Sequence, residues 1–225
     1  MELLIVVGSW VVLQRHISAL EAASPTALAP RKIDPQIAQL TAYADRLYTE
    51  RKWLAAEKAY LNVLKLDHKN FKSYVHLGII YSTQKNMPDA IECFQIATRL
   101  HPSGGTYQNL ALAYYDNRNF IKSIAAYERA IMLDPAAQRY VGLAKAHLKL
   151  HNLTAAAEAY EKAVAHDPTK RNLERLAAVY DEAGRKDDLV AITEQIRALE
   201  PPAPEPSLKP RRSPAKSTTT LNPEA

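Results

Sequence analysis

Several things are scarce in this chain, and each scarcity removes a class of function. Cys93 is the sole cysteine, so no intramolecular disulfide can form and thiol usage assigns no compartment. Only 6 glycines are spread over 225 residues, with no glycine-rich phosphate loop and no nucleophile elbow among them. Runs of Val, Ile and Thr are rare, which removes the main strand signal and leaves a composition rich in Ala, Leu and Tyr that favours helices. No Lys/Arg block stands inside the central part, and the net charge is a mild +5, so non-specific nucleic-acid binding is not the expected role. Half of the 14 prolines fall in the last stretch of the chain, so breakers are sparse elsewhere. What is present, 47% apolar and 24% charged residues, is a globular balance in a chain long enough to bury a core.

The positive signal is repetition. The string SIAAYERAIMLDP (123–135) has four relatives: AEKAYLNVLKLDH (56–68), AIECFQIATRLHP (90–102), AAEAYEKAVAHDP (156–168) and LVAITEQIRALEP (189–201). They recur every 33 or 34 residues. Between them lies a second recurring stripe at offsets of three and four. Its copies are Leu40, Tyr43, Ala44 and Leu47; Tyr74, Leu77, Gly78 and Tyr81; Tyr107, Leu110, Ala111 and Tyr114; Tyr140, Leu143, Ala144 and His147; and Leu173, Leu176, Ala177 and Tyr180. These spacings put the residues on one face of a helix. Each repeat therefore reads as two amphipathic helices, A then B. Ala44, Gly78, Ala111, Ala144 and Ala177 are expected to let A approach B closely. Tyr60, Phe94, Tyr127 and Tyr160 are expected to fill the space between successive pairs. Asn86, Asn119 and Asn152 stand in the A–B turns and are expected to take the left-handed conformation, as is Gly184. Asp before Pro, as in Asp34-Pro35 and Asp134-Pro135, is expected to end one unit and cap the next.

On these strings the chain resembles the tetratricopeptide repeat (TPR) family, over roughly Ile37 to Ala203. The resemblance implies an all-α, right-handed superhelical α-solenoid of about five helix-turn-helix repeats (37–70, 71–103, 104–136, 137–169 and 170–203). Thr193 takes the aromatic slot of the last repeat, as suits a repeat without a following neighbour. The resemblance further implies a non-catalytic scaffold that binds a protein or peptide in the concave groove formed by the A helices. The expected groove residues are Lys72, His76, Asn109, Tyr115, Lys145, Lys149, Arg171 and Arg175, a mixture suited to an acidic or carboxylate-bearing partner. One subfamily clamps the C-terminal carboxylate of chaperones. Arg171 and Arg175 match its last two positions, but the other three fall at Gly142, Gln108 and Leu112, so chaperone binding is not expected. An accessory or regulatory subunit of an envelope-biogenesis or secretion complex is the alternative role, and a stand-alone enzyme ranks below both.

No reactive constellation stands out. His147 and His151 are four apart, a spacing that suits a metal, but no third ligand accompanies them and no cofactor is expected. Cys93 beside Phe94 reads as a small core filler.

The two ends do not repeat. Segment 1–20 contains the uncharged run Leu3–Leu13, short of the roughly 20 residues a straight membrane span needs. Three readings compete: a membrane anchor extended by the residues that follow, the apolar region of a signal peptide cleaved near Ala27–Ala29, or an apolar helix packed on the first repeat. As an anchor it would leave the repeats in the cytoplasm, given Arg15, Arg31 and Lys32. The other readings make the chain soluble and cytoplasmic, or secreted or periplasmic. Residues 21–36 read as a tether. Residues 204–225 read as a disordered, basic, Pro-rich tail.

Overall fold

The computed structural model describes residues 34–199, and within them the chain forms ten helices and no strand. The A helices are α1 (Pro35–Thr49), α3 (Phe71–Thr83), α5 (Gly104–Asp116), α7 (Ala137–Lys149) and α9 (Lys170–Glu182). The B helices are α2 (Trp53–Leu66), α4 (Met87–Leu100), α6 (Phe120–Leu133), α8 (Leu153–His166) and α10 (Lys186–Ala198). Each helix packs chiefly on its neighbours in sequence, and α3–α5 and α5–α7 also touch. The A helices thus line one side of a right-handed α-solenoid. The anchor and signal-peptide readings, the tail and the tether before residue 34 concern residues outside the described ones. The end of the expected tether is corrected, because Asp34 caps α1 and Pro35 and Gln36 already belong to it, proline being well suited to the first helical turn. Among the described residues no helix is long and apolar enough to cross a membrane.

The turns differ from the sequence expectation in an instructive way. The left-handed residue between A and B is not the asparagine but the residue before it: Lys85 (φ 65°), Arg118 (φ 59°) and His151 (φ 55°), with Arg51 and Gly184 in the same place. The asparagines are instead spent on the next helix. Asn119 and Asn152 accept hydrogen bonds from the amides of Lys122 and Ala155, which start α6 and α8. Asn86 donates from its amide to Asp89.

The Asp-Pro reading is also corrected. Asp34 does cap α1, accepting from the Gln36 amide at 2.8 Å. Asp134 and Asp167 do not cap the helix that follows; they end α6 and α8. Their carbonyls are held by a buried polar residue of the next A helix, through Arg139 to Asp134 and Asn172 to Asp167. Arg139 also pairs with the Asp134 carboxylate at 2.7 Å. Thr106 plays the same part for the carbonyl of His101 at 2.9 Å. Ser73, Thr106, Arg139 and Asn172 occupy one register, and all four are buried.

The stripe that these residues begin explains the stacking. Ser73, Leu77 and Ile80 are buried in α3, as are Thr106, Leu110 and Ala113 in α5, and Asn172, Leu176 and Val179 in α9. In α1 the equivalent Gln39, Tyr43 and Arg46 are exposed, Tyr43 to 52%. No described pair precedes α1, so this stripe is the one that each later repeat buries on its predecessor. Burying one such Leu or Ile stabilises the fold by about 1.5–3 kcal/mol.

Gly78 serves the expected close approach of A to B, because a Cβ there would lie 2.6 Å from the Phe94 ring. Thr193 is exposed, with its hydroxyl donating to the Leu189 carbonyl. Buried apolar residues form one cluster from Ala44 to Tyr127 and another from Val141 to Ile192. Leu143 packs against both, at the seam between repeats three and four.

Candidate binding groove

An open cavity of about 860 Å³ lies over this seam. Repeat three contributes Tyr115 and Asp116 from α5 and Tyr127 from α6; repeat four contributes Val141, Lys145 and Lys149; repeat five contributes Arg171 and Arg175. The helical period explains the convergence. Lys145 and Lys149 are one turn apart on α7, Arg171 and Arg175 one turn apart on α9, so each pair projects from one face. The floor is apolar and aromatic. Burial pushes the Tyr127 phenol up to about 12 and raises that of Tyr115 as well. Four cations face two carboxylates, Asp116 and Asp167, in a repeat region that is close to charge balance. Lys145, Lys149 and Arg171 make no ion pair with a described residue, and Arg175 only donates to the Asn172 side chain at 3.2 Å.

Five of the eight residues singled out from the sequence therefore line one cavity: Tyr115, Lys145, Lys149, Arg171 and Arg175. Asn109 lines a smaller adjoining cavity of about 210 Å³, with Ile79, Phe94 and Leu112. The two cavities share Leu112 and Asp116. Lys72 and His76 line neither. His76 is consumed by packing: its ring stacks on Tyr60 with centroids 5.1 Å apart and planes 8° apart, and it meets Tyr48 edge-on at 4.6 Å. Tyr60 donates its phenol to Asp45 at 2.7 Å, and Asp45 lies 3.9 Å from His76 Nε2. Burial holds the imidazole below its usual pKa, against the opposing pull of Asp45.

Two residues that the sequence did not flag as groove-formers turn out to shape the groove. Gly142 sits in the register of His76, and a Cβ there would lie 2.3 Å from Tyr127 Cζ. With no side chain at 142, the Tyr127 ring is left as groove floor. The readable signal was a glycine inside a helical stripe, where it costs stability unless something approaches closely. Among the described residues no cluster of three or more His, Cys, Asp or Glu forms a metal cradle. His147 is half-buried in α7, and His151 occupies the left-handed turn.

Comparison with known proteins agrees with this architecture. The tetratricopeptide repeat family model matches residues 41–105, 109–171 and 141–192. The transcription factor tau 131 kDa subunit of Saccharomyces cerevisiae (strain ATCC 204508 / S288c) is 33% identical over 73 residues, which is 32% of this chain. The aligned stretch is only 7% of that much longer protein. Two crystal structures of MamA superpose at 27% and 26% identity with TM-scores of 0.64 and 0.66. They cover 69% and 72% of this chain and 92% and 90% of theirs. YrrB, described as a TPR protein with an unusual peptide-binding site, shares the fold at 15% identity, with a TM-score of 0.61 over 72% of this chain and 86% of its own. The chain belongs to the tetratricopeptide repeat family.

Proposed function

We propose that this protein is a non-catalytic scaffold whose groove over repeats three to five binds an acidic segment of a partner protein. One observation carries this reading: Lys145, Lys149, Arg171 and Arg175 converge on a single open cavity, where they outnumber its two carboxylates, Asp116 and Asp167, and form no ion pair with either. Solvated cations cost the fold little, so what supports the reading is their convergence on one groove rather than their lack of partners. Left open beside an apolar floor, they offer charge-assisted hydrogen bonds to carboxylates. A groove built on packed helices loses little entropy when a ligand enters. YrrB provides a precedent for a peptide site on this architecture. The test is a pull-down with the full chain and with K145E/K149E/R171E/R175E. Proteins retained by the first and lost by the second are the expected result. Identical sets would sink the reading.

The scaffold is further proposed to act at a membrane, tethered through Leu3–Leu13. Two features support this: the uncharged run itself, and the chemistry of the face it would otherwise cover. The outer stripe of α1 is Gln39, Tyr43 and Arg46, which offers no continuous apolar seat. Fractionation of the protein with and without residues 1–16 decides the point; full-length protein found in the soluble fraction overturns it.

A further inference from the structure

Lys145, Lys149, Arg171 and Arg175 gather at one end of the groove, and Ile79, Phe94 and Leu112 line the small cavity at the other. Between them stands Asp116, the one carboxylate that lines both cavities. Leu112, also shared, is 50% exposed although it is a large apolar side chain on a helix. Asn109, on the wall of the small cavity, has no hydrogen-bond partner among the described residues, so its amide is free to donate and accept. Asp116 is the last residue of α5 and makes no ion pair with a described residue.

We propose that the groove reads a register: an extended acidic segment places one apolar side chain in the small cavity, passes Asp116 with uncharged residues, and sets its carboxylates against Lys145, Lys149, Arg171 and Arg175. The inference rests on the acidic-segment reading above and adds the anchor and the filter. The small cavity, about 210 Å³ and lined by Ile79, Phe94 and Leu112, has room for a large aliphatic or aromatic side chain. A ligand carboxylate beside the exposed Asp116 meets a like charge, which disfavours segments that are acidic throughout. Neighbouring packed helices lie about 8–10 Å apart. From the α3–α5 boundary to the middle of α7 is then on the order of 15 Å, which an extended chain spans in about four or five residues. The Asn109 amide sits where it can pair with the backbone of the entering chain.

The test uses three labelled synthetic peptides, each made in both sequence directions and titrated against the full-length protein by fluorescence anisotropy. The first carries one leucine, about four serine or glycine spacers, and three glutamates. The second replaces the leucine by serine. The third moves the glutamates next to the leucine. In one direction the first peptide is expected to bind about tenfold more tightly than either of the others. D116N is expected to restore the third peptide and leave the first unchanged; the substitution removes a charge that the negative end of the helix dipole disfavours, so the fold survives it. Equal affinity of the three peptides for the wild type, or a third peptide indifferent to D116N, overturns the register. No binding of any peptide in either direction overturns it as well. If K145E/K149E/R171E/R175E binds the first peptide as well as wild type does, the acidic-segment reading itself fails, which is a separate outcome.

Discussion

Tyr60 and Tyr127 hold the same place in the repeat, on helix B facing the next A helix, yet their surroundings are opposite. Tyr60 is covered by His76 and Asp45, and the groove there is filled by stacked rings. Tyr127 faces Gly142, and the groove there is open. The same contrast runs through the other inner positions. Asp45, Ile79, Leu112 and Lys145 share one register, and Lys72, Gly105, Gln138 and Arg171 share another. The packing positions repeat because every repeat solves the same burial problem. The inner positions are released from that problem, so their differences are where the proposed recognition would be written. The N-terminal seam closes on itself, whereas the C-terminal seam leaves a basic cavity.

The comparison can be broken most forcefully at position 142. G142V puts a branched side chain where a Cβ alone would lie 2.3 Å from Tyr127, so the ring or the repeat must shift. A loss of about 1–3 kcal/mol in urea denaturation is expected. No loss would mean that the seam is not closely packed at this point. Next comes charge. K145E/K149E should weaken binding of an acidic peptide by about tenfold or more, equivalent to about 1.4 kcal/mol, with little change in stability, whereas K72E should leave binding unchanged. Equal effects at both places would erase the distinction between the two seams. A gentler probe is G105A, in the register of Lys72 and Arg171 but with open space around it, the nearest atom being Ser103 Oγ at 3.9 Å. It should stabilise the protein by about 0.5–1 kcal/mol, the opposite sign to G142V.

The smallest expected effect is that of pH. His76 is held below its usual value of 6.5 by burial, with Lys72 acting in the same direction and Asp45 against. The unfolded chain therefore binds the proton first, and stability attributable to His76 falls as pH drops below about 6.5. Burial lowers His147 as well, with Glu128 and Glu158 opposing. H76F keeps the ring stack and should flatten part of the slope of the denaturation midpoint between neutral and mildly acidic pH. An unchanged slope contradicts the neutral, half-buried imidazole.

Most of the architecture was legible because packing writes itself into the sequence at a fixed period. Tyr74, Leu77, Gly78 and their counterparts announce two helices per repeat and the side they bury. The turns depart from the sequence pattern for a local reason. Asn86, Asn119 and Asn152 tolerate a left-handed backbone, but their side chains are more useful at the start of the next helix, so Lys85, Arg118 and His151 take the unusual φ instead. The groove was half legible. Cations one turn apart on α7 and α9 had to project together, and they do. His76 has the register of the same surface. Its stack on Tyr60 depends on what stands opposite, which a single-helix pattern does not encode. For the same reason the pairing of Gly142 with Tyr127, and the position of Asp116 between two cavities, emerged only from the packed solenoid.

The central claim is that recognition belongs to the open seam and not the filled one. Site-specific photo-crosslinking tests it most directly, with the photoreactive residue placed at Gln138 or at Lys72 of the full-length protein in its own cell. The two positions share a register on different repeats, so each is a control for the other. The account predicts a discrete crosslinked partner from position 138 that is absent from position 72 and is lost in K145E/R175E. The same partner captured equally from both positions, or from position 72 alone, would contradict it.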